Sequence, residues 1–241
     1  MIPWLLIPVK SLEAGKGRLD GALKPAYRRR LNEFFLRHVL RTADRFPGCD
    51  RTVVISGCNE VLRIAEAYGA KPIRQRPKNG LNSAVAQGVA ALRRIGAKNI
   101  LLIACDEPLV RPIDLRDIVR RGARLGGIVI CPDKHGMGTN ALYFPSCAPI
   151  RFQFGKDSLL KHVREALRNG LPPHVYFNER IGFDVDTPAD LILWRKSDHR
   201  QRGMTWLKDL GQNGRYFEQG TQPFLNDVSF FSPMLRGHSS G

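Results

Sequence analysis

The chain has 241 residues, 43% of them hydrophobic, with 38 Lys and Arg against 22 Asp and Glu and a formal charge of +16. That composition supports a sizeable core in one large or two small domains, and no run approaches the ~20 apolar residues of a membrane span. The charge asks for an anionic partner, but it is dispersed over helical faces such as Arg28-Arg29-Arg30 and Arg93-Arg94, with no aromatic-interleaved basic strand for stacking single-stranded bases.

The segment Met1 to Pro8 is too short for a signal peptide and lacks a basic leader and a cleavage site, so Leu5 to Val9 reads as the first strand. Leu31, Phe34, Phe35, Val39 and Leu40 follow helical spacing within Ala26 to Ala43, and Phe46-Pro47-Gly48 breaks that helix. Thr52 to Ile55 is β-rich, and Val61 to Tyr68 is a helix stopped by Gly69. Asn82 is placed to cap a helix with the stripe Val85, Val89, Leu92, ended by Gly96, and the apolar run Ile100 to Ala104 follows. Ile113 to Val119 reads as a short helix, Ile128 to Ile130 and Ala141 to Phe144 as strands, and Ser158 to Leu167 as a helix. His174 to Phe177 reads as another strand, and Thr187 to Trp194 as a last helix with Pro188 in its first turn.

This alternation predicts an α/β layered fold with a mainly parallel sheet and helices on both faces. Ligands of such sheets bind beyond the carboxyl ends of the strands, so the loops after Val9, Cys105 and Phe183 are expected to share one crevice. From about Ser197 onward Gly, Gln, Ser and Pro are frequent and periodicity fades. The expected organisation is one domain over 1–197 and a tail over 198–241, disordered or draped over the core. The five cysteines have no C-x-x-C spacing, which points away from zinc or redox pairs. Cys105 and Cys131 end apolar runs and read as buried thiols, in keeping with a reduced, cytoplasmic compartment.

The basic loop after the first strand carries Lys10, Lys16 and Arg18 among Gly15 and Gly17. Such a loop can grip a triphosphate, although it is not a Walker A loop; a plain basic surface loop is the alternative. Asp106 closes a buried apolar run, where a carboxylate needs a metal or a cation, and Asp186 is expected to end a second strand. Each could instead be a helix cap; together they fit a magnesium site bridging phosphates, with Asp184 as a further candidate ligand. Between these aspartates lies Gly136-Met137-Gly138-Thr139-Asn140, small residues with a hydroxyl and an amide. Phe154-Gly155-Lys156-Asp157-Ser158 then opens a helix, a ready place for phosphate or carboxylate. Gly80-Leu81-Asn82 also opens a helix and could face a base. His135, His162 and His174 show no ligand spacing, and His162 reads as a packed or surface histidine.

These pieces occur in the order Pro8-Val9-Lys10, Lys16-x-Arg18-Leu19, Gly80-Leu81-Asn82, Asp106-x-Pro108-Leu109, Pro132-Asp133 with Gly136-x-Gly138-Thr139-Asn140, Phe154-Gly155-x-x-Ser158-x-x-x-His162, and Asp184-Val185-Asp186-Thr187-Pro188. The ordered set resembles the CofC/FbiD guanylyltransferases of deazaflavin coenzyme F-420 biosynthesis over about residues 1–195. The resemblance implies a nucleotide-diphospho-sugar transferase-like (nucleotidyltransferase A) fold, GTP as substrate and magnesium as cofactor. It implies a phosphorylated acid as acceptor: 2-phospho-L-lactate, phosphoenolpyruvate or 3-phospho-D-glycerate. Carried over, Thr139, Gly155 and Ser158 would hold the acid, Asp106 and Asp186 the magnesium, and Lys10, Lys16 and Arg18 the triphosphate, with Gly80 and Asn82 near the guanine. Lys16, Arg18 and Asp106 are the catalytic candidates. Gly15 and Gly17 stand where the family usually has Ala and Ser, and Glu107 where it has an apolar residue. The expected partners are the two substrates, with no membrane or nucleic acid, and a homodimer is left open. The competing readings are another nucleotidyltransferase of the same fold, making a sugar or molybdopterin nucleotide, and a basic nucleic-acid-binding protein.

Overall fold

The computed structural model describes residues 2–14, 16–20, 22–76 and 80–197; the tail expected over 198–241 and the loop glycine Gly15 lie outside them. By contact the chain divides into two units, residues 1–15 with 29–185 and residues 16–28 with 186–241.

The first unit holds a seven-stranded sheet built from β1 (Trp4–Pro8), β2 (Thr52–Ser56), β3 (Lys71–Arg74), β4 (Asn99–Ile103), β5 (Ile128–Cys131), β6 (Ala141–Pro145) and β7 (Pro173–Val175), in the order β3-β2-β1-β4-β6-β5-β7. β1 pairs in parallel with β2 and β4, β2 with β3, and β5 with β7; only β6 runs against its neighbours. The long helices are α1 (Pro25–Arg45), α2 (Asn59–Ala67), α3 (Leu81–Arg94), α4 (Pro112–Leu125) and α5 (Ser158–Arg168), followed by the single turn α6 (Glu179–Gly182) and by α7 (Pro188–Ser197).

Strand alternation sorts the core into two layers. Leu5, Ile7, Val54, Leu101 and Ile103 face the apolar stripes of α1, α2 and α4, through Leu36, Val39, Leu40, Val61, Leu115 and Ile118. Leu6, Val53, Ile55, Ile100 and Leu102 face Val85, Val89 and Leu92 of α3 and Ala166 of α5. A sheet covered on both faces explains why the central strands read as unbroken apolar runs. Gly88 on α3 sits where a Cβ would come within 2.6 Å of Leu6, so helix and sheet approach closely there.

Four expectations need correction. β3 was not foreseen: Lys71-Pro72-Ile73-Arg74 is an exposed edge strand, where proline is tolerated. The last strand is Pro173–Val175 rather than His174 to Phe177. Phe183 to Asp186 forms no strand; it is an irregular stretch between α6 and α7. Cys131 is buried as expected, whereas Cys105 is partly exposed because it lies beyond the end of β4.

The second unit, in its described part, contains a 3-10 turn over Gly17–Leu19, the first residues of α1, and α7. Leu19, Leu23, Leu191 and Trp194 are buried there. No helix among the described residues is long and apolar enough to cross a membrane.

Candidate active site

The chain runs from β1 outward to β2 and β3, then returns to add β4 on the other side of β1. Adjacent parallel strands whose connections leave in opposite directions open a crevice beyond their carboxyl ends. Three groups of residues gather at this end of the first unit.

The first is a cavity of about 520 Å³ lined by Lys10, Ser11, Cys58, Gln75, Gly80 and Leu81 among others. Gly80 has a φ of 107°, open only to glycine, and its turn starts α3. The cavity therefore has a cationic side chain at one wall and the N–H groups of a helix start at another, an arrangement suited to an anion. Lys10 and Gly80 both line it. Asn82 does not cap α3, because Gly80 holds that position. Its amide grips the backbone of Phe154 instead, accepting from the Phe154 N–H at 2.7 Å and donating to the Phe154 carbonyl at 3.2 Å.

That clamp leads to the second group. Between β5 and β6 the chain turns tightly: Asp133 accepts from the Met137 N–H at 2.8 Å, and a Cβ on Gly138 would meet the Asp133 carboxylate at 2.8 Å. Only glycine lets the loop close this far, and the closure carries Thr139 inward. Gly155, at φ 115°, makes the sharp turn before α5, whose second residue donates from Leu159 N–H to the Met137 carbonyl at 3.0 Å. The two loops are thus tied, and Ser158 Oγ lies 3.3 Å from Thr139 Oγ1. His162, one helical turn beyond Ser158, places Nδ1 3.0 Å from Thr139 Oγ1 and accepts from the Gln153 N–H on Nε2 at 3.1 Å. Ser158 and His162 are 1% and 2% exposed. Burial pushes the imidazole pKa down to about 4, so the ring is neutral near pH 7. The reading of His162 as a packed or surface histidine holds as packed, and the ring's Nδ1 lies on the Thr139 hydroxyl. The signal was present, since Ser158 and His162 are spaced i, i+4 on one helix face.

The third group is acidic. Asp106 lies just past β4, partly exposed, and its carbonyl accepts from the Val185 N–H at 3.4 Å. The loops after Cys105 and Phe183 therefore meet, as the crevice argument requires. Asp184 faces Lys134, whose ammonium lies 3.4 Å from its carboxylate and donates to its carbonyl at 2.9 Å. Glu107 is fully buried.

Within the second unit, Asp186 is not a helix cap. Thr187 and Asp190 form the cap of α7: the Asp190 carboxylate accepts from the Thr187 N–H at 2.8 Å, and Thr187 Oγ1 accepts from the Asp190 N–H at 3.3 Å. The Asp186 carboxylate is left to cations, with Lys16 Nζ at 3.1 Å and Arg18 Nη1 at 3.9 Å. Lys16, Arg18 and Asp186 are thus brought together.

Residues 4–222 match a protein family described as "Guanylyl transferase CofC like". The chain is 36% identical to a phosphoenolpyruvate guanylyltransferase of Conexibacter woesei over 206 residues, covering 84% of this chain and 92% of that one. It is 32% identical to a 2-phospho-L-lactate guanylyltransferase of Methanocaldococcus vulcanius over 208 residues, covering 86% and 90%. A crystal structure of a putative nucleotide-diphospho-sugar transferase from Desulfovibrio desulfuricans superposes with a TM-score of 0.67 at 18% identity, covering 86% of this chain and 92% of that one. The fold is accordingly that of the nucleotide-diphospho-sugar transferases.

Proposed function

Because the chain belongs to the CofC-like guanylyl transferase family, we propose that it transfers the guanylyl group of GTP to a small phosphorylated acid, releasing pyrophosphate. The acceptor is phosphoenolpyruvate, 2-phospho-L-lactate or 3-phospho-D-glycerate, and the product belongs to coenzyme F-420 biosynthesis. The observation that carries this reading is the convergence of Thr139 and Ser158 at the start of α5 beside Gly155. Two hydroxyls and a helix N-terminus, enclosed on a rigid scaffold, suit a small di-anionic ligand.

In the reaction an oxygen of the acid's phosphate forms a bond to the α-phosphorus of GTP, and the bond from that phosphorus to the bridging oxygen of pyrophosphate breaks. The attacking oxygen is already ionised, so no protein base is needed. Thr139, Ser158 and the backbone at Gly155 hold the acid. Lys10 and the first turn of α3 hold the nucleotide in the cavity, and Lys16 and Arg18 neutralise phosphate charge. Holding both anions in line supplies most of the rate.

Asp106 in the first unit and Asp186 in the second are each a residue that would ligate magnesium. Both offer the hard carboxylate oxygens that the ion takes, and one or two carboxylates suffice when phosphates complete its shell. Asp186 already faces the cationic groups of Lys16 and Arg18. When bound, magnesium would add positive charge at the phosphates. All five cysteines are free thiols, which suits a reduced cytoplasm.

The direct test offers GTP, CTP, UTP and ATP with each of the three acids and reads pyrophosphate release, with the product identified by mass spectrometry. Release with GTP and one of these acids is expected; release only with a pyrimidine triphosphate, or only with a sugar phosphate, refutes the reading. Asp106→Asn is expected to lower turnover at least about a hundredfold with an unchanged circular dichroism spectrum. Near-normal activity would remove Asp106 from the machinery.

A further inference from the structure

The protons shared by Thr139, Ser158 and His162 can be counted. The Gln153 N–H donates to His162 Nε2 at 3.1 Å, and a backbone N–H has no other role, so Nε2 carries no proton. The neutral ring then bears its proton on Nδ1 and donates it to Thr139 Oγ1 at 3.0 Å. Burial, which lowers the imidazole pKa to about 4, keeps the ring in this single-proton form. Thr139 Oγ1 also accepts from Ser158 Oγ at 3.3 Å, so both of its lone pairs are used. Its own proton is left for a third group. Reversing the bond between the hydroxyls moves that outward proton to Ser158 but does not remove it. The opposite tautomer would remove it, because Thr139 would then donate to Nδ1 and the pair would have nothing left to offer.

We propose that His162 is a positioning residue of the acceptor site: fixed in its Nδ1–H form by Gln153, it makes the Thr139–Ser158 pair an obligatory hydrogen-bond donor to an anionic oxygen of the phosphorylated acid. The proposal rests on the acceptor-site reading above. Its support extends one layer outward. Asn82 clamps Phe154, the residue after Gln153, and the Phe154 ring meets the imidazole edge-to-face with centroids 4.7 Å apart. The donor that sets the tautomer is therefore held from the start of α3, the helix that walls the nucleotide cavity.

The test uses the full chain with GTP and the acid that it turns over. His162→Gln removes the donor at the Nδ1 position, whereas His162→Asn keeps an N–H there and loses the acceptor for Gln153. The Gln variant is expected to raise KM for the acid about tenfold, with KM for GTP changed by less than about twofold, and the Asn variant to recover most of that loss. A purely structural role would move both KM values together and would not discriminate between the two variants; that result overturns the proposal. Thermal unfolding of each variant separates loss of fold from loss of binding. Independently of any variant's stability, long-range nitrogen–proton correlation spectra of the wild type at pH 7 are expected to show a neutral Nδ1–H ring, with the signal assigned by its loss in His162→Asn. An Nε2–H or a charged ring overturns the proposal. Wild-type protein that turns over none of the acids refutes the acceptor-site reading and takes the proposal with it, and is recognised as that failure because the tautomer spectrum is read separately.

Discussion

Lys16 sits at φ 66° and ψ 43°, a left-handed backbone that costs a residue with a Cβ about 1 kcal/mol. The conformation is retained where its carbonyl accepts from the Leu19 N–H at 2.8 Å and its ammonium pairs with Asp186 at 3.1 Å. The neighbouring Gly17 is different: it begins the 3-10 turn without a positive φ, and a Cβ there would meet nothing nearer than Asp20 Oδ2 at 3.9 Å. The departure from the family's usual serine is therefore not enforced by the backbone. Gly17→Ser is expected to stabilise the protein by about 0.5 kcal/mol by restricting the unfolded chain, read as a small rise in Tm, with turnover not reduced. A fall in Tm would show that the loop depends on glycine.

Two buried groups at this scale set the acid side of the stability curve. The folded His162 titrates near 4 against an ordinary 6.5, so between these values the unfolded chain takes up a proton that the folded chain refuses. Stability is then complete above about pH 6.5 and declines by about 3 kcal/mol as pH falls towards 4. Asp114 adds to this below the usual carboxylate range. Its burial alone would raise its pKa, but hydrogen bonds from Arg180, Asn178 and the Arg111 N–H outweigh burial and hold it down. Its contribution is present above the unfolded carboxylate value, about 4, and is lost as pH falls through the lower folded one. Urea midpoints measured at pH 7, 5.5 and 4 are expected to fall in that order, and His162→Asn should flatten the upper part of the slope. A midpoint independent of pH in this range would contradict the assignment of His162.

At the scale of the element, α7 is started by a reciprocal cap, Thr187 with Asp190, three residues apart. Thr187→Ala is expected to lower stability by about 1 kcal/mol, seen in thermal unfolding, whereas a change below a few tenths would mean that packing alone sets the start of that helix. What the sequence made legible divides along physical lines. β1, β2, β4, β5 and β6 announce themselves as apolar runs because helices cover both faces of the sheet. β3 does not, because an exposed edge strand needs no apolar run and admits Pro72. Phe183 to Asp186 mimics a strand by alternating two apolar residues with two aspartates, yet its backbone has no sheet neighbour. Thr139, Gly155 and Ser158 are legible because tight turns and helix starts are local events written in local residue types. The partners of Asn82 and His162 are not legible because they are tertiary: Asn82 reaches a backbone 72 residues away, and His162 a hydroxyl 23 residues back.

For the whole molecule, the excess of cations matters more to encounter than to fold. A chain of formal charge +16 draws polyphosphates towards it, and salt screens that attraction over roughly 10 Å at 0.1 M. The apparent kcat/KM for GTP is expected to fall about three- to tenfold between 0.05 and 0.5 M salt, with kcat much less affected. Insensitivity to salt would indicate that the distributed surface charge plays no part in substrate capture.

The placement of β1 has a consequence for biosynthesis. It leaves the ribosome before its sheet neighbours, yet it lies inside the sheet, with Leu5 opposite Leu101 on one flank. At translation speeds of about 5–20 residues per second, that flank waits on the order of 5–20 s for its neighbour to emerge. Throughout this interval a nascent Leu-Leu-Ile segment presents an unfinished edge, exposed to non-native pairing until Leu101 emerges.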